Sequence, residues 1–237
     1  MKKNFLLLAT AFLASSCYTI AQTSPGNKVR YGIRAGINVA SFSTSSERKA
    51  DDKEEGYKSK PVVSFHLGGY ADYALSKNFS IQAGLSLSGK GGKSAWSEDD
   101  LDGSASGEGS FKESLLYLEV PVNAIYRSGS FYFGAGPCLG FALSGKWKES
   151  YEYNLGNGDT ESGTESGKIE FSGEDGYFKR ADFGVNFLAG YQLNNNISLA
   201  AGYGLGLPNL FKTDDAEARK YWAFKNRVFS VSVSYSF

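Results

Sequence analysis

Few residues in this chain have the chemistry for a reactive centre. His66 is its one histidine, and of two cysteines the first, Cys17, falls in a leader-like stretch. A serine-type nucleophile needs a histidine base and a carboxylate to orient it, and no spacing around His66 marks such partners. Cys138 stands among Gly136 and Gly140, the surroundings of a small packing residue rather than of an activated thiolate. Glu98-Asp-Asp-Leu-Asp-Gly103 sets carboxylates at alternate positions, as a calcium loop does. Its closing acid, Glu108, misses the twelfth place that bidentate coordination requires, so the segment reads as a solvated acidic loop. Further carboxylates, Glu149, Glu152, Glu161, Glu165, Glu170, Glu174 and Asp175, extend that character to a second stretch. Divalent ions bridging them to lipopolysaccharide phosphates are the one binding use such loops suggest. Gly134-Ala-Gly136 and Gly202-Tyr-Gly204 lack the spacing and the following helix of a nucleotide fingerprint. No catalytic, cofactor-binding or metal residue is therefore assigned, no cofactor is expected, and the protein is read as a non-enzyme.

A second kind of chemistry is visible in charges that interrupt otherwise small and polar positions: Arg30, Arg34, Asp72, Glu119, Arg180 and Asp182. What they do depends on the elements that carry them. From Phe229 to Phe237 the odd positions are Phe, Val, Val, Tyr and Phe, and the even positions are all Ser. Strict alternation has the period of a β-strand. The same alternation recurs seven times upstream, at Val29–Phe42, Pro61–Leu75, Phe79–Ser88, Ser114–Tyr126, Phe131–Ser144, Phe178–Leu193 and Ile197–Leu207. Connections alternate between long polar segments and tight turns at Ser76-Lys-Asn78, Arg127-Ser-Gly-Ser130 and Asn194-Asn-Asn196. Residues 89–113 and 145–177 read as long loops. Pro121 and Pro137 fall inside strands, where a missing N–H predicts β-bulges.

Length, charge and the N-terminus narrow the class. The 237 residues suit one barrel-sized domain, and 25 basic against 25 acidic residues leave no field that would draw nucleic acid. Lys2 and Lys3, the apolar run from Phe5 to Ala14 and Thr19-Ile-Ala21 have the form of a secretory signal. Residues 1–21 are expected to be cleaved, leaving a 22–237 barrel domain. A competing lipoprotein reading rests on Cys17 after Leu13-Ala-Ser-Ser16, with the leucine one place early. With the signal removed, Cys138 has no cysteine to pair with.

Alternation does not say which face is inside; glycine does. The polar face carries Gly32, Gly36, Gly68, Gly84, Gly134, Gly136, Gly140, Gly184, Gly202, Gly204 and Gly206. A water-washed exterior would favour longer polar side chains, because glycine weakens a strand, whereas the interior of an eight-stranded barrel has room only for small residues interleaved with large ones. The apolar face is then expected to meet lipid. The fold class predicted is an all-β, eight-stranded antiparallel up-and-down transmembrane barrel, with short periplasmic turns and long extracellular loops. Tyr73, Phe79, Tyr126, Phe131 and Tyr191 cluster at strand ends as an aromatic girdle. Val233, Tyr235 and Phe237 form a terminal assembly signal. The inward charges are expected to pair as Arg34–Glu119 in mid-lumen and Arg30–Asp72 below it, with Arg180 and Asp182 in the same network.

Tyr117-Leu-Glu-Val-Pro-Val122, Phe133-Gly-Ala-Gly-Pro137, Asp182-Phe-Gly184, Gly202-Tyr-Gly-Leu-Gly206 and the terminal Asn226-Arg-Val to Tyr235-Ser-Phe237 resemble the PorT-like outer-membrane β-barrel family of Bacteroidetes. The resemblance spans the mature chain and implies an outer-membrane barrel of the cell envelope; a link to secretion, known for some members, does not transfer with it. The function expected is a structural or interaction role at the cell surface, with a narrow porin-like channel and a lipid-acting or secretion-associated barrel as alternatives. Its partners are expected to be outer-membrane lipid and, during insertion, the barrel assembly machinery; sequence names no surface ligand.

Overall fold

The computed structural model describes residues 28–99, 106–155, 159–171 and 177–237. Its strands, in chain order, are β1 (Val29–Ser43), β2 (Lys58–Lys60), β3 (Val62–Ala74), β4 (Phe79–Asp99), β5 (Ser106–Ser128), β6 (Phe131–Asn154), β7 (Thr160–Lys168), β8 (Ala181–Gln192), β9 (Ile197–Gly206) and β10 (Lys225–Ser236). Two short helices, α1 (Ser46–Glu54) and α2 (Ala216–Tyr221), sit in the connections. Each strand pairs antiparallel with its neighbour in the order β1-β3-β4-β5-β6-β8-β9-β10, and β10 returns to β1 through Ile33↔Tyr235 and Val39↔Phe229. That ring has eight strands and no free edge. β2 joins β4 and β7 joins β6 outside it. Among the described residues no helix is long and apolar enough to cross a membrane; strands do the crossing.

Burial settles which face is inside. Val63, Leu139 and Ile37 are 71%, 63% and 58% exposed, whereas Asn38, Gln82 and Ser234 on the other face are 2%, 5% and 1% exposed. A water-soluble barrel would reverse this, because apolar burial is the main favourable term in folding from water. An apolar exterior around a polar bore is the arrangement lipid demands. At the short-turn end, register brings the girdle residues together. Phe79 stands opposite Tyr126 with ring centroids 4.9 Å apart, Phe131 stands opposite Tyr191 at 5.0 Å, and Tyr73 is level with Val29.

Two expectations are corrected. Neither Pro121 nor Pro137 makes a bulge. The β4–β5 ladder lapses between Ala83↔Val122 and Ser86↔Glu119 and resumes in the same register, while Pro121 keeps its pairing with Cys138 on the other side. Pro137 likewise lapses towards β5 but stays paired with Val185 of β8. Each proline lacks only the N–H directed at one neighbour, so one interrupted step suffices. Between β5 and β6 the register shift falls instead at Leu116/Tyr117, with Leu143 as the extra residue.

The second correction concerns the long loops. Residues assigned to loops continue β4, β5 and β6 to 21, 23 and 24 residues. A tilted strand crosses a bilayer in about 9–11 residues, so half of each stands above the membrane. There the sheet is held by rings laid across glycines of the next strand. A Cβ on Gly109 would come within 2.5 Å of Trp96, one on Gly167 within 2.7 Å of Trp147, and one on Gly163 within 2.4 Å of Tyr151. The polar connection after β1 holds α1 and β2, capped where Ser45 Oγ accepts from the Arg48 N–H.

Candidate functional site

The polar bore is where the predicted charges meet, and the structure arranges them in three tiers. At the periplasmic end Asp72 accepts hydrogen bonds from the Arg127 guanidinium and, at 3.3 Å, from Gln82 Nε2. Arg34 donates to Gln82 Oε1 and Ser234 Oγ, both at 2.9 Å, and lies 5.1 Å from the Tyr70 ring. In the middle tier His66 Nδ1 meets Asn38 Oδ1 at 2.7 Å, and Asn38 Nδ2 donates to Ser88 Oγ and the Gly89 carbonyl. In the upper tier Lys90 Nζ lies 2.8 Å from Glu119 Oε1 and 2.9 Å from Asp182 Oδ2, while Asn226 Nδ2 donates to the same Asp182 oxygen at 2.8 Å. The ammonium also lies 4.6 Å from the Tyr117 ring, whose side chain is fully buried. A cavity of about 150 Å³ remains among these groups.

The predicted pairs are therefore rearranged. Arg34 and Glu119 share a row through Gly68 and Ser86, yet two strands separate them, and Lys90 on β4 is adjacent to Glu119 on β5. Arg34 turns to neutral acceptors instead. Arg30 stands in register with Asp72, but its side chain is exposed and Asp72 is held by Arg127. Arg180 leaves the network. It donates to the Ala142 carbonyl at 3.1 Å and lies 4.9 Å from the Phe171 ring, at the extracellular rim. Lys90 lies in the 89–113 segment that reads as a loop and Arg127 in a tight turn, so sequence alone does not reveal the two cations that complete the network.

Above Lys90 the bore is capped. Phe42, Phe178, Phe211, Trp222 and Phe224 form a chain of ring contacts with centroids 5.7–6.4 Å apart. Arg48 of α1 lies 3.8 Å from the Trp222 ring and 3.5 Å from Asp52. The Tyr221 hydroxyl donates to Asp51 at 2.8 Å, tying α2 to α1; that bond raises the phenol pKa. Leu210, fully buried, packs with Leu115, Tyr117 and the lid ring Phe178 in one cluster.

The remaining candidates have plain surroundings. His66 is bonded to an amide, not to a carboxylate. Cys138 is a free, buried thiol. No group of three potential metal ligands is found among the described residues; Asp100, Asp102, Glu174 and Asp175 lie outside them, as do Cys17 and the leader. Val233, Tyr235 and Phe237 all face outward, and the Phe237 N–H donates to the Tyr31 carbonyl at 2.9 Å.

An apolar exterior and a polar, ring-capped bore in one closed ring agree with the match to known families: the pattern described as an outer membrane protein beta-barrel domain covers residues 20–212. The chain belongs to that family. It is accordingly an outer-membrane protein. Similar solved structures include Ail, the attachment invasion locus protein of Yersinia pestis, at 14% identity, 89% of this chain, 100% of that one and a TM-score of 0.41. Neisserial surface protein A is similar at 13% identity, 87% and 97% coverage and a TM-score of 0.40. OprG from Pseudomonas aeruginosa is similar at 13%, 88% and 95%, with a TM-score of 0.34. No curated protein matches.

Proposed function

We propose that this barrel is a closed, non-enzymatic scaffold that carries the projecting β4–β7 sheet as an interaction surface at the cell surface. The observation that carries the reading is the buried Lys90–Glu119–Asp182 cluster beneath the aromatic lid, which sets an ion network and a layer of rings across the upper bore. The motifs of β5, β6, β8, β9 and β10 support the finer assignment to the PorT-like barrels of Bacteroidetes, and residues 1–21 act as the export signal. Its partners are the lipid around it and, during insertion, the barrel assembly machinery.

Single-channel recording of the refolded protein in planar bilayers is expected to show no stable, resolved openings. Regular conductance steps would overturn the closed-scaffold reading in favour of a narrow pore. Deleting Phe237 is expected to slow insertion and leave folded-incompetent material in the periplasm, because β10 closes the ring and its last rings lie at the lipid boundary. Fractionation showing wild-type levels in the outer membrane would count against a terminal assembly signal. His66→Ala is expected to change no turnover of outer-membrane lipids; a loss of such turnover would bring the enzyme reading back.

A further inference from the structure

Above the lipid band, the outer face of the projecting sheet changes from apolar to basic within a few residues. Lys60 pairs with Lys93, Lys93 with Lys112, and Lys112 with Lys148, so four lysines stand in one row across β2, β4, β5 and β6. Lys146 pairs with Lys168 on the same face one pleat lower. Neighbouring strands are about 4.8 Å apart, and like charges directly opposite one another destabilise a sheet. The ion pairs of the described residues involve Arg48, Lys90 and Arg127, and none of these six lysines. Among the described residues no ion pair offsets their repulsion.

The height of the row limits what can compensate it. Outward side chains on β5 are apolar from Tyr126 through Leu116, which at about 3.3 Å per residue and about 40° of tilt makes a band of roughly 25 Å. Lys112 is four residues further on and therefore about 10 Å above the hydrocarbon, at the depth of lipid head groups. A groove of about 710 Å³ opens over this face, with Lys60 and Lys93 at its membrane end and Lys58, Ser110, Ser150 and Thr164 further out, while Lys112 and Lys148 continue the lysine row beside it. Beyond the hydroxyls comes the Glu108↔Glu152 pair. Moving away from the membrane, the groove thus runs from a row of lysines, through hydroxyls flanked by Lys58, to carboxylates. A soluble polyanion would meet repulsion at the far end. A ligand with anionic groups near the membrane and neutral sugar hydroxyls above them fits the whole gradient.

We propose that this groove holds the phosphorylated sugar head group of an outer-leaflet glycolipid, with the lysine row on its phosphates and the hydroxyl row on its sugars. Glycolipid binding here is independent of whether solutes cross the bore, so the bilayer recording above does not bear on it. The test uses full-length refolded protein in detergent micelles and three probes: a bis-phosphorylated glucosamine-disaccharide lipid, its dephosphorylated form, and inorganic phosphate. Each lysine near a charged lipid surface is worth about a factor of five, so Lys93→Gln/Lys112→Gln/Lys148→Gln is expected to lose roughly a hundredfold in affinity for the phosphorylated lipid. Lys49→Gln/Lys53→Gln/Lys220→Gln on the helices, with the same change in net charge, is expected to bind as wild type does. Dephosphorylated lipid should bind the wild type as weakly as phosphorylated lipid binds the first triple variant, and millimolar inorganic phosphate should displace little lipid. Equal binding of the two lipid forms to wild type, equal binding by the two triple variants, or full displacement by inorganic phosphate overturns the proposal. The comparison of the two lipids needs no variant and decides the matter even if the first triple variant fails to insert.

Discussion

Lys90→Met is expected to destabilise the folded barrel by about 3–5 kcal/mol, the cost of removing one partner from a buried charge cluster. Methionine replaces most of the side-chain volume, so packing loss contributes little. The damage comes from Glu119 and Asp182, which lose a cation at 2.8 Å and 2.9 Å and are left with too few donors inside a narrow bore. The Lys90 and Asp182 side chains are only 9% and 3% exposed, so water does not replace the missing partner. Adding Glu119→Gln and Asp182→Asn to Lys90→Met is expected to restore most of the stability, because neutral amides can bond one another and Asn226. Arg34→Met is the informative contrast. Its acceptors, Gln82 and Ser234, are uncharged, and the loss should be about 1–2 kcal/mol, as for ordinary hydrogen bonds. Urea midpoints of the heat-modifiable folded band in lipid vesicles would rank the variants. A triple variant no more stable than Lys90→Met alone would show that volume, not charge, governs the upper tier.

The same residue marks the limit of what could be read from sequence. Alternation recovered all eight crossing strands and their faces, because one side meets lipid and the other a polar bore, which forces period two on the sequence. It failed where both faces of the sheet meet water. From Gly89 onward β4 reads Gly-Lys-Gly-Gly-Lys-Ser, and β7 reads Thr-Glu-Ser-Gly twice over. Neither has an apolar face, so composition reads as loop there, and Lys90 is hidden with it. The signal that remained was the spacing of Trp147, Tyr151 and Tyr153 at odd positions. These rings lie on one face, over glycines or beside other rings. Pairing of the charges failed for a different reason. Depth along the barrel is legible from strand direction, and Arg34 does lie level with Glu119. Which cation reaches a carboxylate first depends on strand adjacency and side-chain length, and β4 stands between the two.

Gly91→Ala is expected to cost about 2–5 kcal/mol, a large penalty for one methyl group. Two effects combine there. Gly91 has φ +139, a backbone conformation that puts an L side chain under strain of about 1–2 kcal/mol. A Cβ would also lie 2.0 Å from the Glu113 carbonyl oxygen, backbone that cannot swing aside, and overpacking of this kind typically costs about 1–3 kcal/mol. The position matters because β4 leaves the membrane at this point. Gly91 pairs with Ser114 a few residues from the register shift at Leu116/Tyr117, so twist gained in this zone sets the direction of the projecting sheet. Lys93, two residues further on, takes its place in the basic row from the same backbone. Strain at Gly91 should therefore reduce glycolipid retention as well as stability, though Gly91 touches no ligand in that scheme. Gly69→Ala supplies the comparison. Its added Cβ would meet only the Gly32 carbonyl at 3.7 Å, an ordinary contact, and the change should be neutral or slightly stabilising because alanine loses less backbone freedom on folding. Equal urea midpoints for Gly91→Ala and Gly69→Ala would mean that the strand relaxes around the methyl, and that the direction of the sheet is set elsewhere.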